Sequence, residues 1–381
     1  MGKDISRRDF LRIFPGLAAK KAESIKETID EARGKPRPKR KKPRRKPSGE
    51  PVLPAFGAVV DGIPNLHPWI GAAHGIARWM KRPRSFAWML GATGEAFTTA
   101  YSLEYPDYAL RHTAGNTFLA ALAITGILGR AAHGGPFEPA IGGVEVTLGR
   151  DLVPVIATRH GPALIRDVDP DKETVAWIRP GEERMTVPFA EVEEEWSMGW
   201  WPGGEVPFLR VTLELAEDRT AALVANPAVE AMVMLVRQDV KEPYRTGAAA
   251  WGALAEDIRE NRIEGDAAGV IFGELLPKLA VARLGAVGFL EEIASAVPEN
   301  RREGVEAARR KFAEIHTPSI VGEVFGTGLL PEAADCLLED QLPDPGKLAE
   351  PAFRERAADL LLQVRDRELE AADLIRDAFE R

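Results

Sequence analysis

The sequence contains one cysteine, Cys336, among its 381 residues. A single thiol excludes an intrachain disulfide and any zinc site built from several cysteines. Its apolar neighbours favour a small buried core residue, because unpaired cysteine is among the most buried residue types. The low cysteine content fits a reducing compartment and predicts a cytoplasmic protein.

Long apolar runs and the common phosphate-binding motifs are also missing. The longest apolar stretch, residues 117–128, is shorter than the roughly 18 to 20 residues that cross a bilayer. The chain has no Gly-x-x-x-x-Gly-Lys, no Gly-x-Gly-x-x-Gly after a strand and no Gly-x-Ser-x-Gly. Nucleotide binding and the α/β-hydrolase mechanism therefore lack support, and no cofactor is predicted.

Charge is divided unevenly along the chain. Residues 1–50 hold 17 Lys or Arg and 7 Asp or Glu, a net of +10, whereas the whole chain carries −8. The other 331 residues therefore carry −18, so an acidic body follows a basic head. Residues 6–12, Ser-Arg-Arg-Asp-Phe-Leu-Arg, resemble the twin-arginine export motif, but the apolar run after them contains Pro15 and ends at Lys20. A retained basic amphipathic helix over residues 4–32 is favoured, with export as the alternative.

Residues 35–46 contain nine Lys or Arg and three prolines. Like charges repel and proline restricts φ, so this basic run predicts an extended, solvated linker. It is interpreted as a tether or as an anchor to an anionic membrane surface. Nucleic acid is less favoured, because no aromatic residue interrupts the run to stack on bases.

Residues 62–105 concentrate aromatic, histidine and glycine residues, and the rest of the fold is expected to be built around them. Apolar spacing predicts a helix over 70–80. Gly91 and Gly94 favour a tight turn before a second helix near Glu95. A further helix is predicted over 110–128 and a glycine-rich loop over 130–143.

The period changes after Val144 to short β-branched or alternating runs, which predict an antiparallel sheet of five or six strands. Residues 169–172 should form a turn between two of them. Trp196, Trp200 and Trp201 are expected to pack between the sheet and helices. The predicted strands are 144–148, 153–158, 163–168, 174–179, 185–187 and 208–215.

After Pro227 the spacing is helical to the end of the chain. The predicted helices are 228–240, 244–261, 266–282, 284–296, 301–316, 319–325, 331–341 and 352–381. The last one is an amphipathic cover or an oligomer seam, so a homo-oligomer is an option. The fold class is α+β, with a basic segment over 1–50, an α+β domain over 51–226 and a helical bundle over 227–381.

Several segments in this order resemble the family of the butirosin-biosynthesis protein H N-terminal domain, which is similar to papain-like, bacteriocin-processing cysteine peptidases. The segments span roughly residues 57–260. They are Gly-Ile-Pro at 62–64, the helix 72–80, a Gly-x-x-Gly-x-x-Phe segment within 89–97, the strands 154–157 and 163–165, and Gly-Ala-Ala-Ala-Trp at 247–251. The resemblance implies a papain-like domain in which N-terminal helices pack on an antiparallel sheet.

In that family a cysteine at the start of the first helix is the nucleophile and a histidine on the sheet is its base. Residues 71–74 here are Gly-Ala-Ala-His, without Cys, Ser or Thr. His160 lies near the position expected for the base, and Arg179 stands where an orienting Asp or Asn is wanted. The resemblance therefore predicts a domain that has lost its nucleophile and binds a peptide, acyl group or small molecule in the old cleft.

Candidate catalytic residues are His74, His160 and Glu95. Thr93 is interpreted as a helix N-cap with Glu95 in the first turn, and an anion site or a base is the alternative. The histidines at 67, 74, 112 and 133 match no ligand spacing, so no metal site is predicted. Predicted ligand contacts are His67, Trp69, Ala72, His74, Gly91, Thr93, Gly94 and Glu95.

Two other functions stay open. One is an acyltransferase or amidohydrolase that works through His67, His74 and Glu95 or a bound metal. The other is a membrane-surface scaffold that binds through its basic head.

Overall fold

The computed structural model describes residues 49–106, 117–133, 135–201, 204–205, 207–216, 221–237, 244–316 and 350–380. Several predictions lie outside these residues. They are the twin-arginine-like motif, the helix over 4–32, the basic run, His112, Cys336 and the helices over 319–325 and 331–341.

The described chain forms twelve strands and eleven α-helices. The strands are β1 Val59–Val60, β2 Ile63–Pro64, β3 Ala100–Tyr101, β4 Ile127–His133, β5 Val153–Thr158, β6 Gly161–Asp169, β7 Thr174–Ile178, β8 Met185–Pro188, β9 Trp200–Trp201, β10 Gly204–Glu205, β11 Leu209–Leu215 and β12 Arg245–Thr246. The helices are α1 Pro68–Trp79, α2 Phe86–Ala92, α3 Thr117–Ile124, α4 Phe137–Gly149, α5 Phe189–Ser197, α6 Ala221–Arg237, α7 Gly247–Arg259, α8 Gly265–Val270, α9 Leu276–Ala294, α10 Glu299–Ala313 and α11 Pro351–Glu380. Short 3₁₀ turns lie at Glu95–Phe97 and Glu314–His316, and a π-helical turn at Ile271–Leu275 joins α8 to α9.

Six strands form one sheet in the order β4-β11-β5-β6-β7-β8, and every neighbouring pair is antiparallel. The predicted antiparallel sheet is confirmed. Alternating side chains predict five of its strands, β5 to β8 and β11. The turn after Asp169 also forms as predicted, and Asp169 accepts a hydrogen bond from the Lys172 amide at 3.2 Å.

The predicted strand over 144–148 is wrong, because these residues lie in α4. Phe137, Ala140, Ile141 and Val144 recur at helical spacing and are buried against the sheet, which outweighs the β-branched character of the segment. The predicted glycine-rich loop over 130–143 is wrong for the same reason, since it forms the end of β4 and the start of α4.

The predicted helix over 110–128 is confirmed over Thr117–Ile124 and wrong at its end, where β4 begins at Ile127, while residues 110–116 lie outside the described residues. Seven residue pairs join β4 to β11. The sequence does not reveal this strand, because Gly129 and Arg130 interrupt its apolar pattern. Gly129 permits close packing there, since a Cβ atom would lie 2.4 Å from the end of the Leu119 side chain of α3 and would make it shift.

The sheet separates two apolar layers, as period-2 alternation requires. One face, which includes Ile156, Ile165 and Trp177, packs against α4 and α5. Trp196 of α5 is buried in this layer and donates its indole N–H to the Leu209 carbonyl at 2.9 Å, as predicted for a packing residue. The other face, with Val155 and Leu164, packs against the layer that contains α1.

The C-terminal region is helical, as predicted, and its helices pack directly on the α1–α2 layer. Phe289 of α9 lies against Trp88 of α2, with ring centroids 5.3 Å apart. A Cβ atom on Gly91 would lie 2.0 Å from the Phe289 ring, so this glycine permits close approach of α2 and α9. One hydrophobic core therefore runs from residue 53 to residue 375, across the predicted domain boundary at 226.

A buried polar cluster links α11 to this core by hydrogen bonds. Arg283 donates to Glu368 Oε1 at 2.6 Å, to the Thr98 carbonyl at 3.0 Å and to the Thr99 hydroxyl. The second Glu368 oxygen accepts the Trp251 indole N–H at 3.0 Å. Arg283 and Glu368 are both 1% exposed, so each charge depends on these partners.

Candidate ligand-binding cleft

Helix α1 forms one wall of the candidate site, and the chain segment that precedes α1 packs directly on the surface of this helix. Pro68 occupies the first turn, where its missing N–H has no intrahelical acceptor. A Cβ atom on Gly71 would lie 2.3 Å from Asn65, and one on Gly75 would lie 2.3 Å from the Val52 carbonyl. These glycines let the segment from residue 50 to residue 65 approach the helix closely.

A hairpin holds this segment in shape. Strands β1 and β2 pair Val60 with Ile63, which leaves Asp61 and Gly62 as a two-residue turn. Their φ values are +50° and +83°, and positive values at both positions are what a type I′ turn requires. The turn places the Asp61 side chain against α1.

The cleft lies between this segment, α1 and the loop after β7, and it has a volume of about 1130 Å³. Its walls are residues 50–55 and 58–61, four residues of α1 (His74, Gly75, Arg78 and Trp79), Ile178 and residues 181–184. Most of the first wall is apolar, and Val52 and Val59 are 81% and 53% exposed. The cleft is therefore open, and its apolar side chains are accessible.

His74 and Asp61 form an ordered pair at the α1 wall. His74 Nε2 lies 3.1 Å from Asp61 Oδ2, and the Phe86 amide donates to the same oxygen at 2.9 Å. An ionised carboxylate only accepts, so Nε2 of His74 carries the hydrogen. Burial lowers the pKa of His74, although Asp61 opposes the change, so the imidazole is neutral near pH 7.

The charged groups on the rim are mostly paired. Glu50 pairs with Arg184 at 3.2 Å, and Arg78 lies 3.6 Å from Asp61 Oδ1. Arg179 holds Glu182 by two bonds of 2.7 and 2.9 Å. The rim thus surrounds an apolar wall with balanced ion pairs.

A second polar cluster lies deeper, at the opposite end of α1. His67 Nδ1 lies 3.1 Å from Glu95 Oε1, and Lys278 of α9 lies 3.5 Å from the same oxygen. The three residues border a cavity of about 10 Å³, roughly the minimum for one water molecule. Burial lowers the pKa of His67, which outweighs the opposing effect of Glu95. Nε2 of His67 is buried and has no hydrogen-bond partner among the described residues.

The structure thus divides the predicted site residues between two places. His67 and Glu95 meet, whereas His74 lies seven residues along α1, roughly 10 Å away at 1.5 Å per residue. His160 is exposed beside Arg159, whose Nε donates to it at 3.0 Å, and it does not line the cleft. His67, His74 and His160 therefore do not form one catalytic group.

The other predicted contacts lie outside the cleft walls. Trp69, Ala72 and Gly91 are buried, and Trp69 packs on Phe118 with ring centroids 5.5 Å apart. The interpretation of Thr93 as an N-cap is wrong, because Thr93 closes the C-terminus of α2 and donates to the Met89 carbonyl at 2.8 Å. Gly94 follows at φ +84°.

The second helix expected near Glu95 is a single 3₁₀ turn of three residues, Glu95–Phe97. Gly94 directly before it is left-handed, which breaks the path from α2. Glu95 nevertheless lies in the first turn of this short element, as predicted.

Two partners in these clusters are not identified from the sequence. Asp61 carries a usable signal, because Asp-Gly between apolar residues strongly favours a hairpin. Lys278 carries no such signal, since it is one basic residue of a long helical segment and meets Glu95 only through tertiary packing.

The side chains that line the cleft limit the chemistry it can perform. No described residue that lines it carries a hydroxyl, a thiol or an amine, so it lacks the nucleophiles of Cys, Ser, Thr and Lys enzymes, although carboxylates and the His74 imidazole are present. Among the described residues there is also no group of three or more His, Cys, Asp or Glu that could hold a metal ion.

Comparison of the sequence with models of known protein families and with curated proteins gave no match, so the family resemblance stays a prediction. Within the described part of the chain, no helix combines the length and apolarity that a membrane crossing requires.

We expect acid to destabilise the protein through His67. Burial holds the folded pKa below 6.5, so the unfolded chain binds more protons between that lowered value and about pH 6.5. The stability that the protein has with His67 neutral is fully present above pH 6.5. The free energy of unfolding then falls as the pH drops below 6.5, by up to about 1.4 kcal/mol per pH unit. Urea unfolding at several pH values from about 7.5 to about 5 measures this slope.

Two variants make this measurement specific. His67→Gln keeps a donor that can reach Glu95 but cannot titrate, so its free energy of unfolding should depend less on pH. His74 remains in that variant and retains part of the slope, because burial lowers its pKa as well. Gly252→Ala changes no ionisable group and should leave the slope unchanged. An unaltered slope in His67→Gln would contradict the assignment.

Proposed function

We propose that the protein is a papain-like binding protein without peptidase or acyl-transfer activity, which holds an apolar acyl or peptidyl ligand in the cleft beside α1. The observation that carries the proposal is the wall composition. The cleft is large and open, it exposes Val52 and Val59, and no described lining residue is a Cys, Ser, Thr or Lys.

The size of the cleft suits this ligand class. A volume of about 1130 Å³ is at the upper end of ordinary small-molecule sites, so it fits an extended acyl chain or a short peptide. The apolar wall supplies most of the contact. Asp61 adds one oriented acceptor for an N–H or O–H group, because His74 and the Phe86 amide fix its position.

Helix α1 packed against an antiparallel sheet supports the papain-like part of the proposal. Ala72 is buried in the second turn of α1, and its methyl group has no chemistry that could replace a thiolate. The domain is therefore proposed to keep the frame of a cysteine peptidase and to have lost its reaction.

The cluster of His67, Glu95 and Lys278 supports an alternative acid–base enzyme only weakly. A carboxylate-held imidazole is a suitable general base. Its cavity of about 10 Å³ is too small for an acyl or amide substrate, so catalysis there would need a large opening. Binding in the cleft is the better-supported function.

We expect a dansylated fatty acid or a dansylated Leu-Leu dipeptide to bind the cleft with one site per chain. Val59→Asp should weaken that binding at least about tenfold, because it places a charge on the apolar wall at a loss of about 1.4 kcal/mol or more. Fluorescence titration gives both the stoichiometry and the dissociation constant.

Val146→Asp is the matched control. Val146 is 54% exposed, against 53% for Val59, and it lies on α4 outside the cleft. The proposal fails if neither probe binds or if both variants lose affinity equally. It also fails if the protein hydrolyses p-nitrophenyl esters or fluorogenic peptides at a rate that His74→Gln or His160→Gln abolishes.

A further inference from the structure

Strand β4 is one edge of the six-stranded sheet, and among the described residues no strand pairs with its outer side. It is seven residues long, Ile127–His133, and contains no proline. The opposite edge, β8, has only four residues and ends at Pro188, which lacks an N–H. A short edge that ends in proline resists further pairing, whereas a longer edge without proline can accept another strand.

Two residues of β4 share one face of the sheet with two residues of β11. Arg130 lies opposite Thr212, and Ala132 lies opposite Arg210, and directly opposed residues of an antiparallel pair lie on the same face. The Thr212 hydroxyl lies 3.5 Å from that of Thr147 in α4, so this is the face on which α4 packs. The side chain of Arg130 is 78% exposed, so α4 leaves this part of β4 open to solvent.

Arg210 is a cation for which no carboxylate partner is found in the described part of the chain. Its Nε is buried and makes no hydrogen bond there, and the guanidinium packs on Gly143 of α4 so closely that a Cβ atom on Gly143 would overlap it. Burial lowers the pKa of Arg210, and no described carboxylate opposes the change. A half-buried guanidinium is stabilised by a carboxylate, which it can bind through two parallel hydrogen bonds.

Arg130 is the second cation on this face, two positions along β4 from the residue opposite Arg210. Its pair with Glu214 is loose, because the nearest atoms are 3.9 Å apart and the side chains are 78% and 53% exposed. Glu214 lies opposite Leu128, closer to the other end of β4. This face of β4 and β11 therefore carries two cations and one carboxylate, although the chain beyond residue 50 is acidic overall.

We propose that β4 is a docking edge for an extended acidic peptide of a partner protein, which pairs with β4 as a seventh strand. Backbone hydrogen bonds to β4 supply the affinity, and the side chains of alternate residues supply the specificity. Carboxylates two positions apart on such a peptide lie on one face, where they meet Arg130 and Arg210. The added strand would lie about 10 Å from β11, a gap that Glu and Arg side chains span together across the small Ala132.

The residues between the two carboxylates face the opposite side of the sheet, next to Gly129 and Ala131. Gly129 packs there against Leu119 of α3, so apolar residues suit these positions of the peptide. The predicted motif is therefore an alternation of acidic and apolar residues. The proposal does not depend on which ligand the cleft holds.

Fluorescence anisotropy with two labelled hexapeptides of the same composition tests the edge. Thr-Glu-Val-Glu-Val-Thr places both carboxylates on one face of a strand, whereas Thr-Glu-Glu-Val-Val-Thr places them on opposite faces. We expect the alternating peptide to bind the full chain at least about tenfold more tightly than the rearranged one, and Arg210→Gln to remove that preference. Arg310→Gln changes an exposed arginine of α10 and should bind both peptides like wild type.

Amide hydrogen exchange provides a second readout, which does not depend on a variant. The outward-facing amides of β4 should exchange rapidly in the free chain, and the alternating peptide should slow them by at least about tenfold. Exchange in β8, the other edge of the sheet, should not change.

Several results would overturn the proposal. Absence of binding by the alternating peptide would do so, and so would equal binding of the two peptides to wild type. An unaltered preference in Arg210→Gln would show that this arginine does not recognise the carboxylate. Slow exchange of the β4 amides in the free chain would show that another part of the chain, or a second copy, already pairs with this edge.

Discussion

Replacing Glu368 by alanine is expected to lower the free energy of unfolding by about 3–5 kcal/mol, because it leaves the Arg283 guanidinium buried without its countercharge. Arg283 is 1% exposed and makes its 2.6 Å bond to Glu368 in the middle of the core. The Trp251 indole N–H also loses its acceptor. Urea unfolding followed by circular dichroism measures the difference between variant and wild type.

Glu355→Ala is the matched control on the same helix. Glu355 pairs with Arg259 at 2.8 Å, but the side chains are 60% and 35% exposed. Exposed ion pairs contribute about 0–1 kcal/mol, so this variant should change stability by no more than that. If both variants lose the same free energy of unfolding, the buried cluster does not fasten α11 as described.

Phe289→Ala is expected to lower the free energy of unfolding by about 3–5 kcal/mol, since it leaves a cavity between α2 and α9. The Phe289 ring contacts Trp88 and Phe97, with centroids 5.3 and 5.9 Å away, and it is fully buried. Gly91→Ala should also destabilise, by about 1–3 kcal/mol, because its Cβ atom would meet the same ring.

The double variant distinguishes packing from other causes. With the ring removed, the added methyl group of Gly91→Ala has space, so the double variant should lose less than the sum of the single variants. Gly252→Ala on α7 is the control, because a methyl group added there would have no atom within 4 Å. It should stabilise by about 0.5–1 kcal/mol through helix propensity. If Gly91→Ala behaves like Gly252→Ala, then Gly91 is not a packing residue and a ligand contact there gains support.

The sequence predicts the parts of the fold whose pattern repeats locally. Strands β5 and β6 are predictable because each is a short alternating run rich in apolar residues and bounded by Gly, Pro or Asp. Helix α11 is predictable because its apolar residues recur every three or four positions. Residues 144–148 resemble a strand because Val144 and Val146 satisfy the local rule for strands. Their helical partners, Phe137 and Ile141, lie earlier in the chain, within a segment whose glycines favour a loop.

The candidate site is predicted only in part, because its geometry depends on residues that are distant in sequence. Residue type and position single out His74 and Glu95. Their partners lie elsewhere in the chain, Asp61 in a hairpin and Lys278 in α9. No local sequence pattern shows that Asp61 contacts His74 or that Lys278 contacts Glu95. The sequence also does not indicate that Val52 and Val59 are exposed, since an apolar side chain is normally expected in the core.

The buried bonds of Arg283 can be completed only late in the synthesis of this protein. They join Thr98, Arg283 and Glu368 across separations of 185 and 85 positions. At roughly 5–20 residues per second, a ribosome needs about 4–17 seconds between adding Arg283 and adding Glu368. Until Glu368 is added, Arg283 lacks this countercharge, so the core around Arg283 cannot reach its final arrangement on the nascent chain. Premature release before α11 is complete should yield a product that chaperones retain or proteases degrade.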